Sequence, residues 1–247
     1  MVDRLRFDSQ VGYRFYQSLH DDGLDEFNYT FQEFSNVNRC RIPWQDREIV
    51  AGLRVNVPVG VLDGDLFIWG SELVPFINSR LTKRTFTELY HIYGHYEFGP
   101  DGRDPGLLSR DGDYTTTGIH QRFYSADLSR HIFGGYEFQH GATEGNNFDR
   151  IGHRIQAGLY TPLIQRLTGE FIGSFVVANY PHYVDRLVSR EPLARRDNDW
   201  SFLVRLTYAI DQHWSLQGYY RYVNANNRND LFQYDRQIGG MQLTARF

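Results

Sequence analysis

The segment HIYGH sets His91 and His95 four residues apart, a spacing at which a helix would present both imidazoles to one metal ion. On a strand the two rings share a face but lie about 13 Å apart, too far to share a zinc. The other candidates for chemistry are arginines. Lys83 is the only lysine among 26 basic residues. Nearly all positive charge is therefore carried by guanidinium, a planar fork that stays ionised and grips carboxylates or phosphates with two donors at once. The lone Cys40 allows neither an internal disulfide nor a multi-cysteine metal site. Asp101, Asp104, Asp111 and Asp113 in DGRD and RDGDY offer oxygen ligands for calcium, but the EF-hand spacing and its closing Glu are missing, so they read as solvated loop.

The elements that must position these side chains are strands. The chain ends in GGMQLTARF, where Gly239, Met241, Leu243, Ala245 and Phe247 alternate with polar residues, the period of a strand with one apolar face. The same period runs through DWSFLVRLTYAI and WSLQGYYRYVN, joined by DQH as a hairpin, and through DRIGHRIQAGLYT, DREIVAGLRVNV and DRLRFDSQVGYRF. About twelve segments follow: 2–17, 24–36, 47–58, 65–77, 84–98, 114–125, 128–140, 149–161, 167–180, 198–210, 214–224 and 233–247. Three of them carry irregularities. Phe27, Tyr29 and Phe31 lose phase at Phe34, Pro75 interrupts a ladder, and GEFIGSFVVANY is apolar on both faces, which leaves its orientation open.

Composition says what covers the apolar face. Mean hydropathy is −0.52, yet 17 Tyr and 18 Phe carry much of the apolar load, and such rings favour boundaries between an apolar and a wet phase. No run approaches the roughly 18 apolar residues of a membrane-spanning helix. Connections alternate in length: ANNRNDLFQ, PHYVDRLVSREPLARRDN, GATEGNNFD and GPDGRDPGLLSRDGD are long, while DQH, PLIQRL and SAD between them are short. Trp200 and Tyr208 are eight residues apart, as are Trp214 and Tyr222, roughly 26 Å along a strand and roughly 20 Å along the membrane normal after tilting. A soluble sandwich would have to bury Arg154, Arg205, Gln217 and Arg221 without water. The expected fold is all-β: one closed antiparallel transmembrane β-barrel of about twelve strands over residues 1–247, with long extracellular loops and short periplasmic turns. Lipid would cover the apolar face, with Phe247 at the periplasmic rim. MVDRLRFDSQ has no charged segment followed by an apolar one, so no signal peptide is expected within this numbering.

MQLTARF resembles the terminal signal by which outer-membrane barrels are passed to the barrel assembly machinery; the resemblance gives that role to Met241, Leu243 and Phe247. Residues 148–247, from FDRIGHRIQAGLYTPL through RRDNDWSFLVRLTYAIDQHWSLQGYYRYVN to the C-terminus, are similar to the C-terminal barrel of outer-membrane proteins that carry periplasmic tetratricopeptide repeats. That group includes surface lipoprotein assembly modifiers and exopolysaccharide exporters. The resemblance implies a periplasmic repeat domain as partner, in a longer chain from which this barrel would be cut. With about twelve strands the chain also resembles the small porins for acidic oligosaccharides, whose lumens are lined by arginine. FQHGATEGNNFDR resembles the histidine segment of outer-membrane phospholipases, but no serine nucleophile stands beside His140. HYVDR supplies His182 and Asp185, the residue types an omptin-like protease needs. Neither makes a site, and the chain is not expected to be an enzyme.

With the apolar face toward lipid, the opposite parity assigns Arg14, Arg54, His91, His95, Glu97, His120, Arg122, His131, Glu137, Arg154, Arg205 and Arg221 to the lumen. Two readings stay open. The guanidinium groups form a path for anionic solutes or polymers, or they pair with Asp8, Glu97 and Glu137 and plug a narrow barrel. The first makes the chain a channel or export conduit, the second an anchor for a periplasmic domain. Outer-membrane lipids and lipopolysaccharide are the expected surroundings, and RLVSREPLARRDN either meets lipopolysaccharide phosphates or stays solvated. No cofactor is expected. Nucleic acid is not expected as a partner, given a pI near 6.1 and the lack of a basic patch.

Overall fold

The structure, a computed structural model, describes residues 5–18, 29–44, 47–99, 109–145, 147–183, 195–227 and 233–245. Among the described residues, twelve strands form a single antiparallel sheet in chain order: β1 (Arg6–Ser18), β2 (Tyr29–Trp44), β3 (Arg47–Leu62), β4 (Asp65–Thr82), β5 (Thr85–Phe98), β6 (Gly112–Tyr124), β7 (His131–Thr143), β8 (Arg150–Ile164), β9 (Leu167–Tyr180), β10 (Arg195–Ala209), β11 (Trp214–Asn227) and β12 (Tyr234–Ala245). Among the described residues each strand bonds to its chain neighbours alone, the order of consecutive antiparallel hairpins.

The sheet is inverted with respect to a soluble protein. Val11, Ile77, Ile155, Trp200, Phe202 and Met241 are all exposed, whereas Asn56, Glu137 and Ser174 are buried. Register ties the apolar residues to one face: Tyr13 stands opposite Phe34, Ile155 opposite Phe175, and Tyr208 opposite Leu216. That face is convex. On the other, side chains reach past a whole strand, as Tyr90 on β5 does to Glu137 on β7 and Gln156 on β8 to His120 on β6. Residues of β1 and β2 (Tyr13, Arg14, Phe15, Phe31) and of β10–β12 line one common cavity, so the sheet curls until its edges face each other. No ladder joins β1 to β12 among the described residues.

Several expectations change in detail. The second strand, expected over 24–36, runs from Tyr29 to Trp44, so most of NVNRCRIPWQ is strand and residues 45–46 separate it from β3. Its outward face is polar at Gln32, Asn36 and Asn38. These groups bond to one another and to β1, Gln32 to Tyr13 and Asn36 to Ser9 and Asn38, so each finds a partner on the sheet itself. On the long-loop end β3 and β4 are joined by Asp63 and Gly64 alone, both with positive φ (50° and 84°), the conformation of a tight hairpin turn that Asp-Gly adopts readily. The β4–β5 register passes over Val74 and Pro75, where proline can donate no bond to the ladder. The orientation of β9 is fixed by its partners, with Phe171 and Phe175 on the outward face and Glu170 and Ser174 on the inward one.

Candidate functional site

The inward face carries the charge, and strand register decides which charges are neutralised. Arg14 stands directly opposite Glu33, Asp8 opposite Arg39, Glu137 opposite Arg154, and Arg205 opposite Glu170. Directly opposed side chains have Cβ atoms about 5 Å apart, within reach of an ion pair. All four pairs form: Arg14–Glu33 at 2.5 Å, Arg39–Asp8 at 3.0 Å, Arg154–Glu137 at 3.6 Å and Arg205–Glu170 at 2.5 Å. Arg41 adds diagonal contacts to Asp8 (3.2 Å) and Glu48 (3.3 Å).

Arg221 has no such neighbour. It stands between Leu203 on β10 and Ile238 on β12. Arg236 stands opposite Val223, and Arg150 opposite Gly141. None of these three forms an ion pair among the described residues, although Arg150 packs 5.9 Å from the centre of the Tyr114 ring. Arg54 is inward, exposed and likewise unpaired, while Arg122 lies over the Phe86 ring at 5.1 Å.

A hydrogen-bonded network crosses β5 to β8. Tyr90 Oη donates to Glu137 Oε1 (2.7 Å), Gln139 Nε2 donates to Glu137 Oε2 (3.2 Å), and Gln156 Nε2 lies 2.5 Å from His120 Nε2. Arg154 closes the network from the other side. Gly118 makes room for it: a Cβ there would collide with the Tyr90 ring directly opposite.

The parity assignment fails on β5. His91 and His95 share the outward face with the exposed Leu89 and Tyr93, and Glu97 follows the same parity. His91 Nδ1 lies 2.8 Å from Thr117 Oγ1, and His95 Nδ1 lies 2.9 Å from Asp113 Oδ1. The cause is that β5 places Phe86, Tyr90, Ile92 and Tyr96 inward, so aromatic and apolar residues occupy both faces and the alternation carries no phase. His120, Arg122, His131, Glu137, Arg154, Arg205 and Arg221 lie inward, as do Arg14 and Arg54.

Met241 points outward and is 75% exposed; the Leu243 side chain and Phe247 lie outside what the structure describes, as do Asp101, Asp104 and Asp185. His182 bonds Asp149 across two connections (3.1 Å), Asp111 accepts the backbone N–H of Phe98 (2.7 Å), and His140 lies on the outward face. Sequence reasoning missed Arg150 and Arg236. The signal was present, since Arg150 shares parity with Arg154 and Arg236 is opposite in parity to Met241.

No protein-family model matches the chain, and no curated protein matches its sequence. Solved structures do match. The KdgM porin superimposes with a TM-score of 0.51 at 11% identity, covering 97% of this chain and 99% of that one. The TodX monoaromatic hydrocarbon channel, as a deltaS2 mutant, superimposes with a TM-score of 0.51 at 10% identity, covering 98% of this chain and 80% of that one. At this identity the likeness concerns the fold, which is that of an outer-membrane β-barrel.

Proposed function

We propose that the chain closes through its β1 and β12 edges into a barrel in the bacterial outer membrane and conducts anionic solutes or polymers. The observation that carries this reading is the cavity of about 680 Å³ between the two edges, lined by Arg14, Arg205 and Arg221 with Gln217, Tyr219 and Gln242. Fixed guanidinium groups along a wet path favour anions and disfavour cations. The apolar outward face supplies the reason for lipid contact, and Met241, Leu243 and Phe247 would hand the strand to the assembly machinery.

A second reading has its own observation. The Tyr90–Glu137–Arg154 network fills part of the interior and suits a plugged barrel that anchors a periplasmic domain. Single-channel conductance of the refolded chain in a planar bilayer separates the two, with reversal potentials in a salt gradient and with Arg205→Ser and Arg221→Ser together. Anion-selective conductance that weakens in the double variant is expected. Silence from protein shown to be inserted overturns the channel and favours the plug.

A further inference from the structure

A second cavity lies on one wall of the sheet. It measures about 340 Å³ and is bounded by Arg150, Arg154, Arg221 and Arg236 together with the Ser174 and Ser201 hydroxyls, and Asp199 is the one acidic lining residue among the described residues. Three strands converge four guanidinium groups on it: β8 sends two, β11 and β12 one each, and β9 and β10 contribute the serines, whose Oγ atoms lie 2.7 Å apart. The Nε atoms of Arg150 and Arg154 are buried with no hydrogen-bond partner. Buried donors of this kind are costly unless something accepts from them.

Asp199 within the cavity and Glu137 behind Arg154 offset two of the four charges. Two positive charges are left facing a space of a few hundred cubic ångströms, the size range of small-ligand sites. A single carboxylate would neutralise half of that. A phosphate monoester carries close to two negative charges at neutral pH and three acceptor oxygens, and guanidinium forks bind such oxygens in pairs. The remaining volume, bounded by Val176, Val223 and Ile238, takes a small organic group bonded to the phosphate.

We infer that the β8–β12 wall holds a binding site for a small phosphomonoester, with Arg150, Arg154, Arg221 and Arg236 as its ligands. This rests on the channel reading for its place on the path, but its binding is measurable without current. Inorganic phosphate and glucose 6-phosphate serve as probes, with galacturonate as the monocarboxylate control. Each is titrated by calorimetry into the full chain folded in detergent, and into Arg150→Gln and Arg236→Gln variants whose folding is verified by heat-modifiable gel migration.

The expected result is saturable binding of both phosphates at least tenfold tighter than galacturonate, weakened at least tenfold in each variant. Equal affinity for phosphate and galacturonate, or variants that bind as the unsubstituted chain does, overturns the site. If the variants fail to fold, the comparison of phosphate with galacturonate on the unsubstituted chain still decides. Phosphate binding by a chain that does not conduct would sink the channel and leave the site. Anion conductance without phosphate preference would do the reverse.

Discussion

Deleting the carboxylate of Glu137 is the most exacting test of how the interior is held. The residue is 7% exposed. It accepts from Tyr90 (2.7 Å) and Gln139 (3.2 Å) and lies 3.6 Å from Arg154 and 3.8 Å from His120. In Glu137→Ala these donors face a void. Removing one partner of a buried ion pair costs about 3–5 kcal/mol. Arg154 retains 31% of its side-chain exposure, so water recovers part of the loss and a cost of about 2–3 kcal/mol is expected. Glu137→Gln keeps an acceptor for Tyr90 and should cost about 1 kcal/mol. Urea unfolding of the barrel in lipid vesicles, followed by the gel shift between folded and heated forms, measures both. The same alanine variant removes a negative charge from the interior, so its reversal potential should move toward stronger anion selectivity. Stability within about 0.5 kcal/mol of the unsubstituted chain, the range of ordinary surface changes, would refute the network as a structural element.

Three shorter tests probe other parts of the fold. Gly118→Val should destabilise by about 1–3 kcal/mol because the new side chain meets the Tyr90 ring, and adding Tyr90→Ala should cost less than the sum of the two changes in the same unfolding assay. Ile155 is outward and 59% exposed, so Ile155→Arg should cost about 2–4 kcal/mol in a bilayer if that face meets lipid; no loss of folding yield or stability would speak against lipid contact there. In the turn between β6 and β7, Asp127 accepts from the Ser125 hydroxyl and from the Ser129 hydroxyl and backbone N–H, which hold its carboxyl well below the usual range. A depressed folded value means stabilisation that is complete above the unfolded value near 4 and is lost as pH falls through the folded one. The stability gap between Asp127→Asn and the unsubstituted chain should therefore be constant from about pH 5 to 8 and narrow below about pH 4; a gap that widens on acidification would contradict the hydrogen bonding.

The strands were legible because a period of two survives wherever one face is apolar, as in β10, where Trp200, Phe202, Val204, Leu206 and Tyr208 alternate with inward residues. Legibility failed where both faces break the rule. On β2 the outward Gln32, Asn36 and Asn38 are satisfied by Tyr13, Ser9 and each other, contacts that only pairing with β1 creates. On β5 inward tyrosines imitate an outward face, so His91 and His95 were assigned to the wrong side. The inward arginines could be read from parity, but their pairing could not. Whether a guanidinium is neutralised depends on which residue of the next strand stands opposite, and hairpin register is set by turns whose lengths the sequence leaves ambiguous.

That dependence makes selectivity a property of register and yields a test that removes no arginine. Arg14 and Arg205 are held by acids directly opposite, whereas Arg221 faces Leu203 and Ile238 across its two ladders. Placing a carboxylate at position 203 would put its Cβ about 5 Å from that of Arg221, the separation at which Arg205 already pairs with Glu170. Leu203→Glu should therefore neutralise Arg221 in place and lower anion selectivity about as much as Arg221→Ser does, while Leu203→Gln, with the same shape and no charge, should leave reversal potentials near those of the unsubstituted chain. If the Glu and Gln variants behave alike, the free charge of Arg221 does not govern the path, and unpaired register positions would have to give way to overall pore width as the source of any selectivity.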